Sequence, residues 1–202
     1  QDDRVCAYTS LKAMLDVEAK ERTTCCLLVD KEEIGSVGAT GMQSRFFENM
    51  LAELINLNGD YSELKLKRAL KNSMMLSSDV NAAFDPLYKD VFSNQSSSYL
   101  GGGVVFNKFT GRGGKSGSND ANAEYLAKIR KIMDDGNVTF QMSELGKVDA
   151  GGGGTIAYIM ALYGMNVIDC GVPVLSMHAP YEVTSKADVY EAYKSYKVFL
   201  AE

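Results

Sequence analysis

Histidine occurs once in this chain of 202 residues, at position 178, and cysteine four times, at 6, 25, 26 and 170. The cysteines have none of the paired spacings used by structural zinc sites or dithiol redox centres. They are expected as reduced core thiols, with Cys25-Cys26 in a buried strand. Clusters of lysine and arginine are also lacking. With a net charge of −5 and a pI near 5.0, the chain is a poor match for nucleic acid and better suited to metal cations and cationic amines. No apolar run approaches the roughly 20 residues that span a bilayer, and the start has no signal-like pattern, so the expectation is a cytoplasmic protein with no membrane partner. Gly151 to Thr155 lacks the lysine that a phosphate loop places before its Ser/Thr, which excludes that route to nucleotide binding. An initiator methionine is missing too; the chain opens on Gln1-Asp2-Asp3-Arg4 and is helical in pattern at once, as expected of a piece of something longer.

What is present is an ordinary globular composition, 46% hydrophobic and 23% charged, enough for one core and one domain over residues 1–202. Val5, Tyr8, Leu11 and Leu15 recur at helical spacing from Arg4 to about Glu21, and Thr24 to Val29 is an apolar run of strand length. Helices follow around Phe46–Ile55 and Ser62–Leu70, then a strand at Met74–Ser78. Two stretches rich in Gly, Ser and Asn, Ser93–Gly103 and Thr110–Gly117, have the composition of mobile loops around a short strand, Val104–Phe106. Beyond them the pattern predicts a helix through Tyr125–Met133 capped by Asn119 or Asp120, and a strand over Asn137–Met142. A helix through Ile156–Tyr163, strands at Met165–Ile168 and Val172–Met177, and a final helix through Val189–Leu200 complete the pattern. Alternating strands and helices predict a three-layer α/β/α sandwich with a largely parallel central sheet.

Against this frame, the few hard or borderline ligands fall in telling places. Glu32-Glu33 follows the apolar run ending at Val29, Asp79 follows Met74–Ser78, His178 follows Val172–Met177, and Asp2-Asp3 opens the first helix. A strand ending in a carboxylate or imidazole delivers it to one edge of the sheet, where α/β folds bind ligands. Two adjacent carboxylates can divide their labour, one holding a metal while its neighbour moves a proton.

Four segments, in order, resemble the co-catalytic zinc aminopeptidases that include aspartyl aminopeptidase and aminopeptidase I: Gln1-Asp2-Asp3-Arg4, Asp30-Lys31-Glu32-Glu33-Ile34-Gly35-Ser36, Ser78-Asp79-Val80-Asn81-Ala82 and Ser176-Met177-His178. The resemblance runs over essentially the whole chain but matches only the C-terminal part of a family catalytic domain. It implies a zinc-exopeptidase-like fold and two divalent ions, zinc with manganese or cobalt as alternatives. It also implies that Asp2 bridges the ions, that Glu33 and His178 complete one shell, that Asp79 binds the other ion, and that Glu32 is the general base. Asp149 and Gly153, Gly154 and Thr155 fall in a segment that lies near the active site in the family, which gives them a substrate-side role. The second ion's histidine and an inserted oligomerisation domain lie upstream in the family and are absent from this chain. Implied partners are peptides with a free N-terminus and further copies of the chain, up to a dodecamer. An acidic first residue would want Lys or Arg at the pocket floor, for which Lys108, Arg112 and Lys115 are available; a neutral one is equally open. Two other readings remain: a related deblocking aminopeptidase, and a metal-binding or assembly segment inactive without its upstream part.

Overall fold

A computed structural model describes residues 1–18, 22–112, 116–147 and 149–202, with the main chain alone at 112 and 116. The helices are α1 (Arg4–Asp16), α2 (Phe46–Leu57), α3 (Glu63–Lys71), α4 (Ala123–Asp135), α5 (Ala157–Ala161) and α6 (Lys186–Leu200). The strands are β1 (Met74–Ser78), β2 (Asn81–Ala82), β3 (Val104–Asn107), β4 (Phe109–Arg112), β5 (Ser116–Asp120), β6 (Phe140–Ser143), β7 (Asn166–Gly171), β8 (Pro173–Leu175) and β9 (Val183–Thr184).

The central sheet has the order β1-β7-β3-β6. β1 with β7 and β3 with β6 are parallel, while β3 and β7 run antiparallel. Both faces of this sheet are covered, which is why its strands are apolar almost without interruption. On one face Cys6 and Ala13 of α1, Ile129 and Met133 of α4 and Ala192 and Tyr196 of α6 enclose Phe106, Ile168 and Cys170. On the other, Leu66 and Leu70 of α3 and Ala157 and Met160 of α5 pack with Val167, and Phe47 and Leu51 of α2 lie against them. The expected three-layer α/β sandwich is the fold, with the central sheet mixed.

The local expectations fare unevenly. Helix α1 ends at Asp16, short of its expected span, with Val17 already extended; residues 19–21 lie outside the described residues. Thr24–Val29 is extended but in no ladder; its nearest pairing is the isolated bridge Asp30↔Gly41. An apolar run gives burial without specifying a partner edge, and here Leu27 and Val29 pack on the second core while Leu28 is exposed. Cys25 is exposed and Cys26 half-buried, whereas Cys6 and Cys170 are buried; all four are free thiols. The second glycine-rich stretch is a hairpin, β4 paired antiparallel with β5. Asn119 consequently lies in β5, and the cap of α4 is Asn122, whose side chain accepts from the Tyr125 N–H at 2.8 Å.

Candidate metal centre

Two chain reversals and the gap between two collinear strands present the acidic residues and the histidine. In the Asp30–Ser36 turn, Lys31 and Ser36 adopt left-handed φ values of +69° and +60° around a 3-10 turn at Glu32–Ile34. The Ser36 N–H donates to the Lys31 carbonyl at 2.7 Å, and the Gly35 N–H to the Glu32 carbonyl at 2.9 Å. Gly41 closes the base: a Cβ there would stand 2.3 Å from the Ser36 carbonyl oxygen, so only glycine allows this approach. Asp79 stands in the short gap between β1 and β2, which run on in one direction beside β7 and β8, and its N–H donates to the Cys170 carbonyl at 2.8 Å. A side chain at Gly171 would meet the Asp79 carbonyl oxygen at 1.6 Å, so the chain that carries Asp79 passes where only glycine can flank it. The second reversal, after β8, places Ser176 and His178 at φ +57° and +65°.

The two reversals, the β1–β2 gap and the start of α1 converge. His178 Nε2 stands 2.9 Å from Asp2 Oδ2 and 3.2 Å from Glu33 Oε1. Ligand atoms of Asp2, Glu33 and His178 fall within 4.8 Å of one another, and so do those of Asp2, Asp3 and Asp79. Asp2 belongs to both groups.

Crowded carboxylates of one sign, partly withdrawn from water, resist ionising together. Burial pushes the Asp3 carboxyl up to about 7, with the Cys6 thiol hydrogen bond opposing and the Asp2 charge adding. Burial likewise raises Asp79, followed by the charges of Asp3, Asp2 and Glu32. Glu32 is raised by burial, then by Glu33 and Asp2, with His178 opposing. Asp3 Oδ1 is buried without a hydrogen-bond partner. The donor set fits divalent cations: hard carboxylate oxygens, one imidazole nitrogen aimed between two of them, and an acceptor left unmatched in a group that holds no cationic side chain.

Of the other residues singled out in the sequence, Asp149 lines a narrow cleft with Phe109, Gly111 and Gly151 and is in neither ligand group. Thr155 accepts from the Ala157 N–H at 3.4 Å and hydrogen-bonds toward Asp169; Gly153 and Gly154 extend the same loop. Lys108 pairs with Asp120 across the base of the β4–β5 hairpin, and so is engaged away from a pocket floor. Lys115 and the side chain of Arg112 lie outside the described residues. The membership of Asp3 in the second group was not anticipated, since an aspartate opening a helix is first read as its cap. It stands at the N-cap of α1 but makes no capping hydrogen bond.

Carboxylates and an imidazole gathered on an α/β sandwich have the donor set of a divalent-metal site. A family model described as aminopeptidase I zinc metalloprotease (M18) matches residues 1–200, and the chain belongs to that family. It is 62% identical over 200 residues to a probable M18 family aminopeptidase 1 of Clostridium acetobutylicum, covering 99% of this chain and 43% of that one. The crystal structure of the M18 aminopeptidase from Thermotoga maritima superposes with a TM-score of 0.95 at 45% identity, covering 99% of this chain and 44% of that one. The mApe1 dodecamer of Saccharomyces cerevisiae shares the fold at a TM-score of 0.77 and 23% identity, over 98% of this chain and 44% of that one. The chain thus spans less than half the length of these relatives. No helix of the described residues is long and apolar enough to cross a membrane.

Proposed function

We propose that these residues form the greater part of a two-metal aminopeptidase centre that removes the N-terminal residue, acidic or neutral, from peptides in the cytoplasm. The observation that carries this reading is the double membership of Asp2, whose carboxylate lies with Glu33 and His178 on one side and with Asp3 and Asp79 on the other. Asp2 would bridge two ions, Glu33 and His178 would complete one shell, and Asp79 would serve the second. When bound, the ions, zinc or alternatively manganese or cobalt, would lower the pKa of an attacking water from about 15.7 toward about 7 and polarise the scissile carbonyl.

Glu32 is half-buried beside Glu33 and in neither ligand group. It is therefore free to take the proton from water and deliver it to the leaving amine, the work of a general base turned acid. The acidic rim suits the cationic α-amine of a substrate, which would limit cleavage to the first residue. Asp149, Gly153, Gly154 and Thr155 would flank the substrate rather than the metals. Assembly with further copies, up to a dodecamer, belongs to the same reading and is supported by family membership and the dodecameric fold relative.

One observation favours a second reading for the 202-residue segment taken alone. The Asp2, Asp3 and Asp79 group holds only carboxylates, and His178, the chain's one histidine, is in the other group. A further histidine from elsewhere in the polypeptide would complete that shell, and without it the segment would bind metal incompletely and turn over nothing. Elemental mass spectrometry on the dialysed whole polypeptide, followed by assays on peptides with acidic and neutral first residues, tests the proposal. Near two equivalents of metal with N-terminal cleavage is the expected result. Metal-replete protein that leaves every such peptide intact would sink it.

A further inference from the structure

The reversal that carries His178 is strained. Ser176 and His178 both occupy the left-handed region at φ +57° and +65°, where residues with a side chain are uncommon and persist only when their surroundings over-determine them. The Ala179 N–H closes part of the turn by donating to the Ser176 carbonyl at 3.0 Å. The His178 N–H has a different partner: it donates to Glu182 Oε1 at 2.6 Å. The other oxygen of the same carboxylate accepts from the Asp2 main-chain N–H at 2.8 Å. Glu182 and Asp2 are 180 residues apart in sequence. The Glu182 side chain is only 8% exposed, and it directly precedes β9, whose antiparallel pairing with β8 fixes its main chain.

We propose that Glu182 is a positioning residue for the metal centre, clamping the two chain segments whose side chains, Asp2 and His178, meet 2.9 Å apart. The proposal rests on the reading of Asp2 and His178 as ligands. Its chemistry is specific to a carboxylate. The His178 and Asp2 amides that Glu182 meets are both N–H donors, and an ionised carboxylate offers acceptors at both ends with no donor of its own. An amide would turn an NH₂ toward either His178 or Asp2. Partners of this kind orient metal ligands, and removing one weakens metal binding by about 10- to 100-fold.

The test uses the whole polypeptide that carries these residues, as the parent and as E182A, E182Q and D2N. Zinc affinity is measured by chelator competition, the cobalt(II) form by its visible absorption, and the metal-free form by its thermal midpoint. E182A should bind zinc about 10- to 100-fold more weakly, E182Q should fall between it and the parent, and both should show altered cobalt spectra. Parent-like affinity in E182A would overturn the proposal. So would weaker binding with an unchanged cobalt spectrum, since that is the result of lost stability alone. Failure of the underlying reading looks different: the parent and D2N would bind metal equally or not at all, and the role of Glu182 would fall with it.

Discussion

Asp188, in the first turn of α6, and Asp79, at the end of β1, are aspartates withdrawn from water to opposite effect. Asp188 is fully buried, and its two oxygens accept from the Gly103 and Gly101 N–H groups at 2.8 and 2.7 Å. The glycine-rich loop is thereby tied to the last helix, and the carboxylate is satisfied by neutral donors. Asp79 receives one amide, from Val80 at 2.8 Å, and otherwise faces Asp2 and Asp3. A fold that can satisfy a buried carboxylate at one place leaves three crowded together at another. On the function proposed above, the contrast sets the second place apart as the one that would take a cation.

The sharpest probe of that contrast lies beside the acidic groups. Glu32→Gln should reduce kcat/KM for peptide cleavage by about 100- to 10,000-fold, the range of a lost general base, with metal content unchanged. Loss of metal together with activity would instead place Glu32 among the ligands. The next probe compares the aspartates directly. Asp188→Ala strands one buried and one partly buried amide and should cost about 2–3 kcal/mol of stability in chemical denaturation. Asp79→Asn removes a charge from a like-charged group, so the metal-free protein should melt no lower than its parent while its metal stoichiometry falls. A comparable stability loss in both variants would erase the distinction.

The convergence of Glu33, Asp79 and His178 was legible because each follows an apolar segment, and the ends of such segments project side chains whatever the details of the ladder. The layers were legible for a similar reason, since Ile129 and Met133, or Leu66 and Leu70, can be buried together only on a helix. Pairing was not. Thr24–Val29 has the residues of a strand without a ladder, and the second glycine-rich stretch has the residues of a loop but forms the β4–β5 hairpin. Long-range satisfaction was not legible either. Nothing local announces that Glu182 will meet Asp2, or that Asp169 will sit beneath the hairpin accepting from Thr110 Oγ1 and Asn119 Nδ2, each at 3.2 Å.

Asp169 stands between the two extremes, with one oxygen satisfied by these donors and the other without a partner. Burial raises its carboxyl to about 6, against the hydrogen bonds from Thr155, Asn119 and Thr110. Because the folded-state value exceeds the unfolded one, ionisation opposes folding. Asp169 should contribute a loss of stability of up to about 3 kcal/mol as pH rises from about 4 through 6, and its contribution should level off above that. Asp169→Asn should flatten this part of the pH–stability profile. An unchanged slope would mean that the carboxylate is better satisfied than its contacts indicate.

The smallest expected effect separates two nearby asparagines. Asn122 is the helix cap, and its side chain accepts from a single amide, that of Tyr125, while its Nδ2 donates to Asn166 Oδ1 at 2.6 Å on the exposed surface. Asn122→Ala should therefore cost about 1 kcal/mol, the usual worth of a cap. Asn119, three residues earlier, is buried in the hairpin and donates both to Asp169 and to the Val167 carbonyl at 3.2 Å. Asn119→Ala removes these donors and leaves Asp169 less compensated, so its cost should exceed that of Asn122→Ala and should grow with pH as Asp169 ionises. The cost of the cap variant should be independent of pH in that range. Denaturant midpoints of both variants at pH 5 and pH 8 would show whether the two asparagines part as a helix cap and a charge partner must.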